Sequence, residues 1–265
     1  MTLPAAGWFL MAAFSKEYND IQINQTMQEN IELFELAINK AKDRNKFTET
    51  REKFVEVLGQ EDATLNEGKW KPFFTVDEMN LEPVLIGMTH WNSMEGFGEA
   101  AMRLMPQEVA VNYFASFDPL AYGLLAAKDG KSFEMNSIKE EGNVVEFAIR
   151  KGKTLDAFGE KRDTFFQSLE RYDGFKFARE FGYYELDTQG MPVLAENTQA
   201  VIIVWENAEK FQAAANPIFA STEYADFSAL IDVKSYFAAF RWNNGHLLKS
   251  GLSTHSNRFC FSFSN

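Results

Sequence analysis

The sequence predicts an α+β fold made of two tandem copies of one strand-helix-strands-helix-strand unit, their antiparallel sheets packed face to face and their helices outside. Three observations predict it. First, the chain repeats itself. Shifting residues 34–63 by 111 positions places Glu35, Ala37, Ile38, Lys40, Lys42, Phe47, Glu49, Arg51, Phe54, Leu58 and Asp62 on identical residues, from Glu146 to Asp173. That is eleven identities in thirty columns, where unrelated sequences of this composition would share roughly two, and the period is domain-sized rather than solenoid-sized. Further on the shift becomes 114, so that Trp91, Glu95, Phe97, Ala100, Ala101, Ala115, Asp118 and Tyr122 meet Trp205, Glu209, Phe211, Ala214, Ala215, Ala229, Asp232 and Tyr236. Second, each copy alternates short β-patterned runs with helical stripes. Third, a four-stranded sheet with helices on one face leaves its other face bare and apolar, and two units in one chain can bury both such faces together.

Each element follows from local pattern. Residues 31–38 place Phe34, Leu36 and Ile38 on one face of a strand, as Val145, Phe147 and Ile149 do in the second copy. Asp43 and Thr154 stand at the aligned cap column of a helix, and both are good N-cap residues. The helix carries Phe47, Arg51, Phe54 and Leu58 at helical spacing, matched by Phe158, Arg162, Phe165 and Leu169. Residues 63–82 and 174–198 are variable and punctuated by Gly and Pro, with an aromatic strand at 175–185. Strands follow at 83–91 and 200–205. Ser93 and Asn207 then cap helices whose Ala100, Ala101, Ala214 and Ala215 permit close approach to a sheet. Each copy ends in a short helix and a strand, at 120–126 and 233–240. The expected boundaries are an N-terminal extension 1–29, repeats at 30–127 and 143–240, a linker 128–142 whose charges at 139–141 face solvent, and an irregular tail 241–265.

Composition narrows the function classes. With 265 residues and 46% hydrophobic content, the chain can bury two cores of ordinary size. A net charge of −12 opposes nucleic acid, which needs a basic footprint, and anionic membrane surfaces as well. Twenty-six phenylalanines suit a thick core or an apolar pocket. Cys260 is the only cysteine, and His90, His246 and His255 are scattered, so no metal site is expected. Residues 3–14 form an apolar run of signal-peptide length without basic residues ahead of it. It reads as a strap on the body or a truncated signal, which leaves the compartment open between cytoplasm, slightly favoured, and export.

The pattern of apolar strand, Lys-containing turn, Phe-bearing helix and then Val-Ile-Ile-Val-Trp-Glu-Asn-Ala-Glu-Lys-Phe at 201–211 resembles the antibiotic biosynthesis monooxygenase-like family of the dimeric α+β barrel superfamily. The resemblance covers residues 30–240 as a tandem version: each copy supplies one ferredoxin-like unit, and the chain is a monomeric pseudo-dimer open to further self-association. Haem-degrading members of the superfamily use an Asn on the first strand, a Trp on the third and a His on the next helix. Trp91 and Trp205 match the Trp, but the first-strand column holds Phe34 and Val145, and no His lies between Asn92 and Gly245. The resemblance therefore implies cofactor-free, metal-free and haem-free oxygenase-like chemistry on a small hydrophobic or aromatic molecule.

Candidate residues are those that one copy holds and the other lacks. His90, aligned with Val204, is the candidate catalytic base, with Asn92 orienting a substrate oxygen. The competing reading turns His90 away from Trp91 by strand alternation. Trp91, Trp205 and Tyr184 are candidate pocket walls, although retention of both tryptophans equally suits core packing. Glu35 with Arg51, and Glu146 with Arg162, are expected to be structural polar pairs, acid-base work by the two glutamates being the alternative. As an enzyme the chain needs a cavity of roughly 300 Å³ or more between sheet and helices. A non-catalytic, stress-type binding or interaction barrel would have filled interiors.

Overall fold

The computed structural model describes residues 32–127, 132–153, 158–188 and 190–242. Its first half runs β1 (Leu33–Ala41), α1 (Arg44–Leu58), β2 (Thr64–Thr75), β3 (Val84–Trp91), α2 (Met94–Leu104), α3 (Glu108–Ala115) and β4 (Phe117–Ala127). After a 3-10 turn at Met135–Ile138 come β5 (Val144–Gly152), α4 (Phe158–Leu169), β6 (Phe175–Leu186), β7 (Pro192–Trp205), α5 (Ala208–Phe219), α6 (Thr222–Ser228) and β8 (Ile231–Arg241). Three cap residues hold as expected. Asp43 accepts from the Lys46 N–H, Ser93 from Gly96 and Asn207 from Lys210, each satisfying a helix-start donor. Thr154, the N-terminal run and residues 243–265 lie outside the described residues.

The strands close into one antiparallel barrel in the order β1-β3-β2-β8-β5-β7-β6-β4. Within it the first half contributes β4-β1-β3-β2 and the second β8-β5-β7-β6, the same order twice. The halves also share an irregularity: β1 shifts register against β4 at Ile38/Asn39, and β5 against β8 at Ile149/Arg150. The face-to-face packing expected from sequence takes a different form. The sheets join edge to edge, through β2 with β8 and β4 with β6, because closure pairs the edge N–H and C=O groups that two stacked sheets would leave open.

Strand alternation then divides the side chains. Phe34, Leu36 and Ile38 on β1, Ile86 and Met88 on β3, and Phe147 and Ile149 on β5 join one cluster fed by all eight strands, which is the barrel interior. Residues between them pack on helices instead: Leu33 and Trp91 against α1 and α2, Leu85 against α1 and α3, and Val201 and Trp205 against α4 to α6. Ala100 and Ala214 are buried where α2 and α5 meet the sheet, the close approach that small side chains allow.

The linker is more than a solvated tether. Phe133, Met135 and Ile138 are buried in the interior cluster, and the Phe133 ring meets Phe34 and Phe181 edge-on at 5.3 Å each. Lys139, expected to face solvent, donates to Asn66 Oδ1 and the Glu67 carbonyl. Tyr183 turns inward and donates its hydroxyl to the Tyr122 carbonyl at 2.6 Å. Its ring needs a glycine opposite, since a Cβ on Gly123 would lie 2.3 Å from it. If the linker plugs the barrel, Phe133→Ala should cost about 3–5 kcal/mol, the usual range for a buried Phe, measured by urea unfolding at unchanged m-value. A loss typical of an exposed site would show that the linker merely lies across the opening.

Candidate functional site

Between the outer face of the first-half strands and helices α1 and α3 lies a cavity of about 460 Å³. Its floor is Glu35, Ala37 and Asn39 on β1, Gly87 and Thr89 on β3, and Glu67 on β2. Its walls are apolar: Phe54, Val55 and Leu58 of α1, Tyr113 and Phe114 of α3, and Phe117 and Tyr122 at β4. One edge comes from the other half, where Leu186, Asp187 and Gly190 at the β6–β7 turn line the same space. Such a mixture of apolar walls with a few converging polar groups is what small-molecule sites are made of.

Glu35 is the central polar group. The Trp91 indole N–H donates to its Oε2 at 3.1 Å, and Tyr122 hydrogen-bonds it as well. Burial nevertheless dominates and raises its pKa above the ordinary carboxylate value, the two hydrogen bonds working in the other direction. Tyr122 is raised well above its usual value by burial and by the nearby Glu35 charge. Tyr113 is pushed up to about 12, chiefly by burial, and hydrogen-bonds Asn39. Arg51, buried on the core side of α1, forms an ion pair with Glu67.

The second half repeats the frame but not the space. Glu146 accepts from both Trp205 and Tyr236, and burial raises its pKa too. The corresponding cavity is only about 80 Å³. Strand register identifies what fills it. Ala37 pairs with Gly87 and Tyr122, and Ala148 with Val201 and Tyr236, so Val201 stands where Gly87 does. By the same reasoning Ile203 replaces Thr89, and Arg150 replaces Asn39. The Arg150 guanidinium is buried, paired with Glu180, and its central carbon lies 4.8 Å from the Phe166 ring centre and 4.6 Å from that of Phe227. Burial pulls its pKa down to about 10 against the raising effect of Glu180.

The sequence candidates are distributed unevenly over this frame. Trp91 and Trp205 end their strands as glutamate partners, and Trp205 lines the small cavity. His90 does not line the large one. Alternation turns it inward, where its ring stacks on Phe34 at 4.3 Å, its Nε2 lies 3.9 Å from Glu32, and burial lowers its pKa. Asn92 is exposed and accepts from the Ser93 hydroxyl at 3.1 Å. Tyr184 packs beside Leu33, Leu58 and Trp91. The expected pairs are corrected: Arg51 binds Glu67 instead of Glu35, and Arg162 lies against Asp163 and Glu180 instead of Glu146. Glu35 and Glu146 instead take Trp and Tyr donors from neighbouring strands of their own face. Sequence reasoning missed Asn39, Glu67, Gly87, Thr89 and Tyr113. The aligned copies carried a signal, since Asn39/Arg150, Gly87/Val201 and Thr89/Ile203 differ in size or charge on helix-facing strand columns.

No family model matches the chain, and no curated protein matches it in sequence. Solved structures do. The chain is similar to an anthrone oxidase-like protein at 11% identity, covering 81% of this chain and 93% of that one with a TM-score of 0.54. It is similar to a candidate chlorite dismutase at 8% identity, covering 82% and 96% with a TM-score of 0.53. An arginine-to-alanine variant of the chlorite dismutase from Candidatus Nitrospira defluvii matches at 11% identity, 82% and 93% coverage and a TM-score of 0.50. At these identities the likeness is one of fold alone.

The raised carboxyls carry a stability signature. A carboxyl whose folded pKa exceeds its unfolded value contributes fully below the unfolded value, and that contribution is lost as pH rises through the folded one. Glu146→Gln should therefore gain on the parent as pH climbs above 4.5, the difference levelling off once Glu146 is ionised. Urea unfolding of both proteins from about pH 4 to 8 measures it, and a pH-independent difference would contradict the assigned shift.

Proposed function

We propose that the chain is a cofactor-independent, monooxygenase-like protein whose first-half cavity binds a hydrophobic, aromatic small molecule. Residues 30–127 and 143–240 are then two ferredoxin-like repeats joined by 128–142 and fused as a pseudo-dimer with helices outside, flanked by 1–29 and 241–265. The same strand order and the same register shift in both halves support the duplication. The observation that carries the functional reading is the asymmetry between cavities of about 460 and 80 Å³ on one frame. Packing requirements alone would have filled both.

Glu35 gives the cavity its chemistry. A carboxylate held in apolar surroundings is more basic than in water, suited to accept a proton from a hydroxyl placed on the floor, while Trp91 and Tyr122 fix its orientation. The aromatic walls exclude water and hold the ring of the bound molecule. Histidine, cysteine and methionine are all missing from the lining, and among the described residues no cluster of three His, Cys, Asp or Glu side chains is arranged for a metal ion. The lining thus lacks the usual nitrogen and sulfur ligands to haem iron. Among the described residues no helix is long and apolar enough to cross a membrane.

Gly87 makes the test simple. A Cβ there would meet only the Ala37 carbonyl oxygen, at 3.9 Å, so Gly87→Val fits the backbone and points its methyls into the cavity, as Val201 does opposite. Binding of the neutral fluorophore N-phenyl-1-naphthylamine should weaken by about tenfold or more with the melting temperature kept. Unchanged affinity would place the ligand elsewhere. Native mass spectrometry of protein purified from its own source can then look for a co-purifying aromatic.

A further inference from the structure

We infer that the first-half cavity selects aromatic ligands bearing a protonated amine or guanidinium, seated beside the Tyr113 ring and the Glu35 carboxylate. The inference rests on the reading of this cavity as a ligand site and adds the charge of what it takes.

The second half supplies the first argument, because it shows what the frame holds when the same space is filled from within. Both halves keep a stacked ring pair under the helices. Phe54 and Tyr113 lie 4.8 Å apart at 13°, and Phe165 and Phe227 lie 5.1 Å apart at 9°. Against the second pair sits the Arg150 guanidinium, 4.6 Å from the Phe227 ring centre, an attraction of a cation for the negative face of a ring. Arg150 rises from β5 at the position Asn39 holds on β1, each just past the shared register shift. Asn39 is shorter and uncharged, and it hydrogen-bonds Tyr113 instead. Val55 stands where Phe166 packs on the guanidinium. The first half therefore retains the ring pair, with Phe47 also stacked on Tyr113 at 5.8 Å, lacks a counterpart of Arg150, and has a cavity beside the rings.

Charge supplies the second argument. Of the ionisable acids and bases lining the cavity, three are carboxylates, Glu35, Glu67 and Asp187, and one is a guanidinium, Arg51. Arg51 is bound to Glu67. Glu35 receives neutral donors from Trp91 and Tyr122, while a carboxylate offers about four lone-pair sites. An ammonium or guanidinium donor on the floor would pair with Glu35 by a charge-assisted bond, stronger than a neutral one. A carboxylate, sulfate or phosphate on the ligand would face Glu35 across apolar walls, where like charges repel more than in water.

Titration calorimetry on the full chain with three probes of one shape tests this: 2-naphthylmethylamine, 2-naphthalenemethanol and 2-naphthoate. The amine should bind the parent about tenfold tighter than the alcohol, with naphthoate weakest. Glu35→Gln should bring the amine close to the affinity of the alcohol. Asn39→Arg, which restores the internal cation, should abolish amine binding while the chain stays folded by circular dichroism. Alcohol or naphthoate matching the amine on the parent overturns the inference, and so does an amine preference that survives both substitutions. Gly87→Val separates the two levels. If the alcohol binds and this variant weakens it, but the amine is not preferred, the charge assignment alone falls. If no probe binds, the cavity reading falls with it.

Discussion

Two seams decide the structure. The backbone bonds of residues 124–127 with 181–184, and of 70–75 with 237–241, turn eight strands into a ring without free edges. A ring of strands has only an inside and an outside, so every strand residue must belong to one or the other. The inside here is filled. Phe34, Trp70, Phe147 and Phe181 are buried there, together with the linker side chains. The two cavities described above lie outside the ring, beneath helices, where each half packs to a different degree.

That separation explains how the charged groups are tolerated. A buried carboxylate is costly unless donors surround it, and each half meets the cost in the same way, with one indole N–H and one phenol on adjacent strands of the same face. The arginines are handled differently. Arg51 pairs with Glu67 beside an open space, whereas Arg150 pairs with Glu180 and lies between rings. Removing one partner of either ion pair would leave a buried charge, which is far more destabilising than the pair is stabilising. Arg51 with Glu67 ties α1 to β2, whereas Arg150 with Glu180 joins strands β5 and β6, and the large cavity owes its outline to the first tie as much as to the glycine at 87.

Periodicity made the strands legible, and the identities between shifted segments made the architecture legible. The 3.6-residue stripe of Phe47, Arg51, Phe54 and Leu58 and the cap residues Asp43, Ser93 and Asn207 located helices to within a residue or two. β2 was less visible, since Gly68 and Pro72 interrupt a strand that is stabilised by β3 and β8 rather than by its own propensity. The plugging linker was not visible at all. Its charged residues advertise solvent, and only the tertiary structure shows Phe133, Met135 and Ile138 turned into the barrel. The site was half legible for a related reason. His90 and Asn92 drew notice as chemically reactive types, but the parity of a strand decides which side a residue faces, and the cavity belongs to Glu35, Asn39, Gly87 and Thr89 on the other side. Size differences between aligned columns proved a better guide than reactivity.

Columns 39 and 150 are separate codons of one gene, and that has a consequence for how such a barrel can change. In a ring assembled from two identical chains, every substitution lands twice, so a residue that opens one cavity opens both and removes two internal cations at once. In a single chain the loss lands once. Arg150 can keep its half closed while Asn39 leaves the other open, and the closed half carries the burden of stability during any alteration of its twin. Continuity of the backbone here converts a symmetric framework into one on which the two sides can diverge independently.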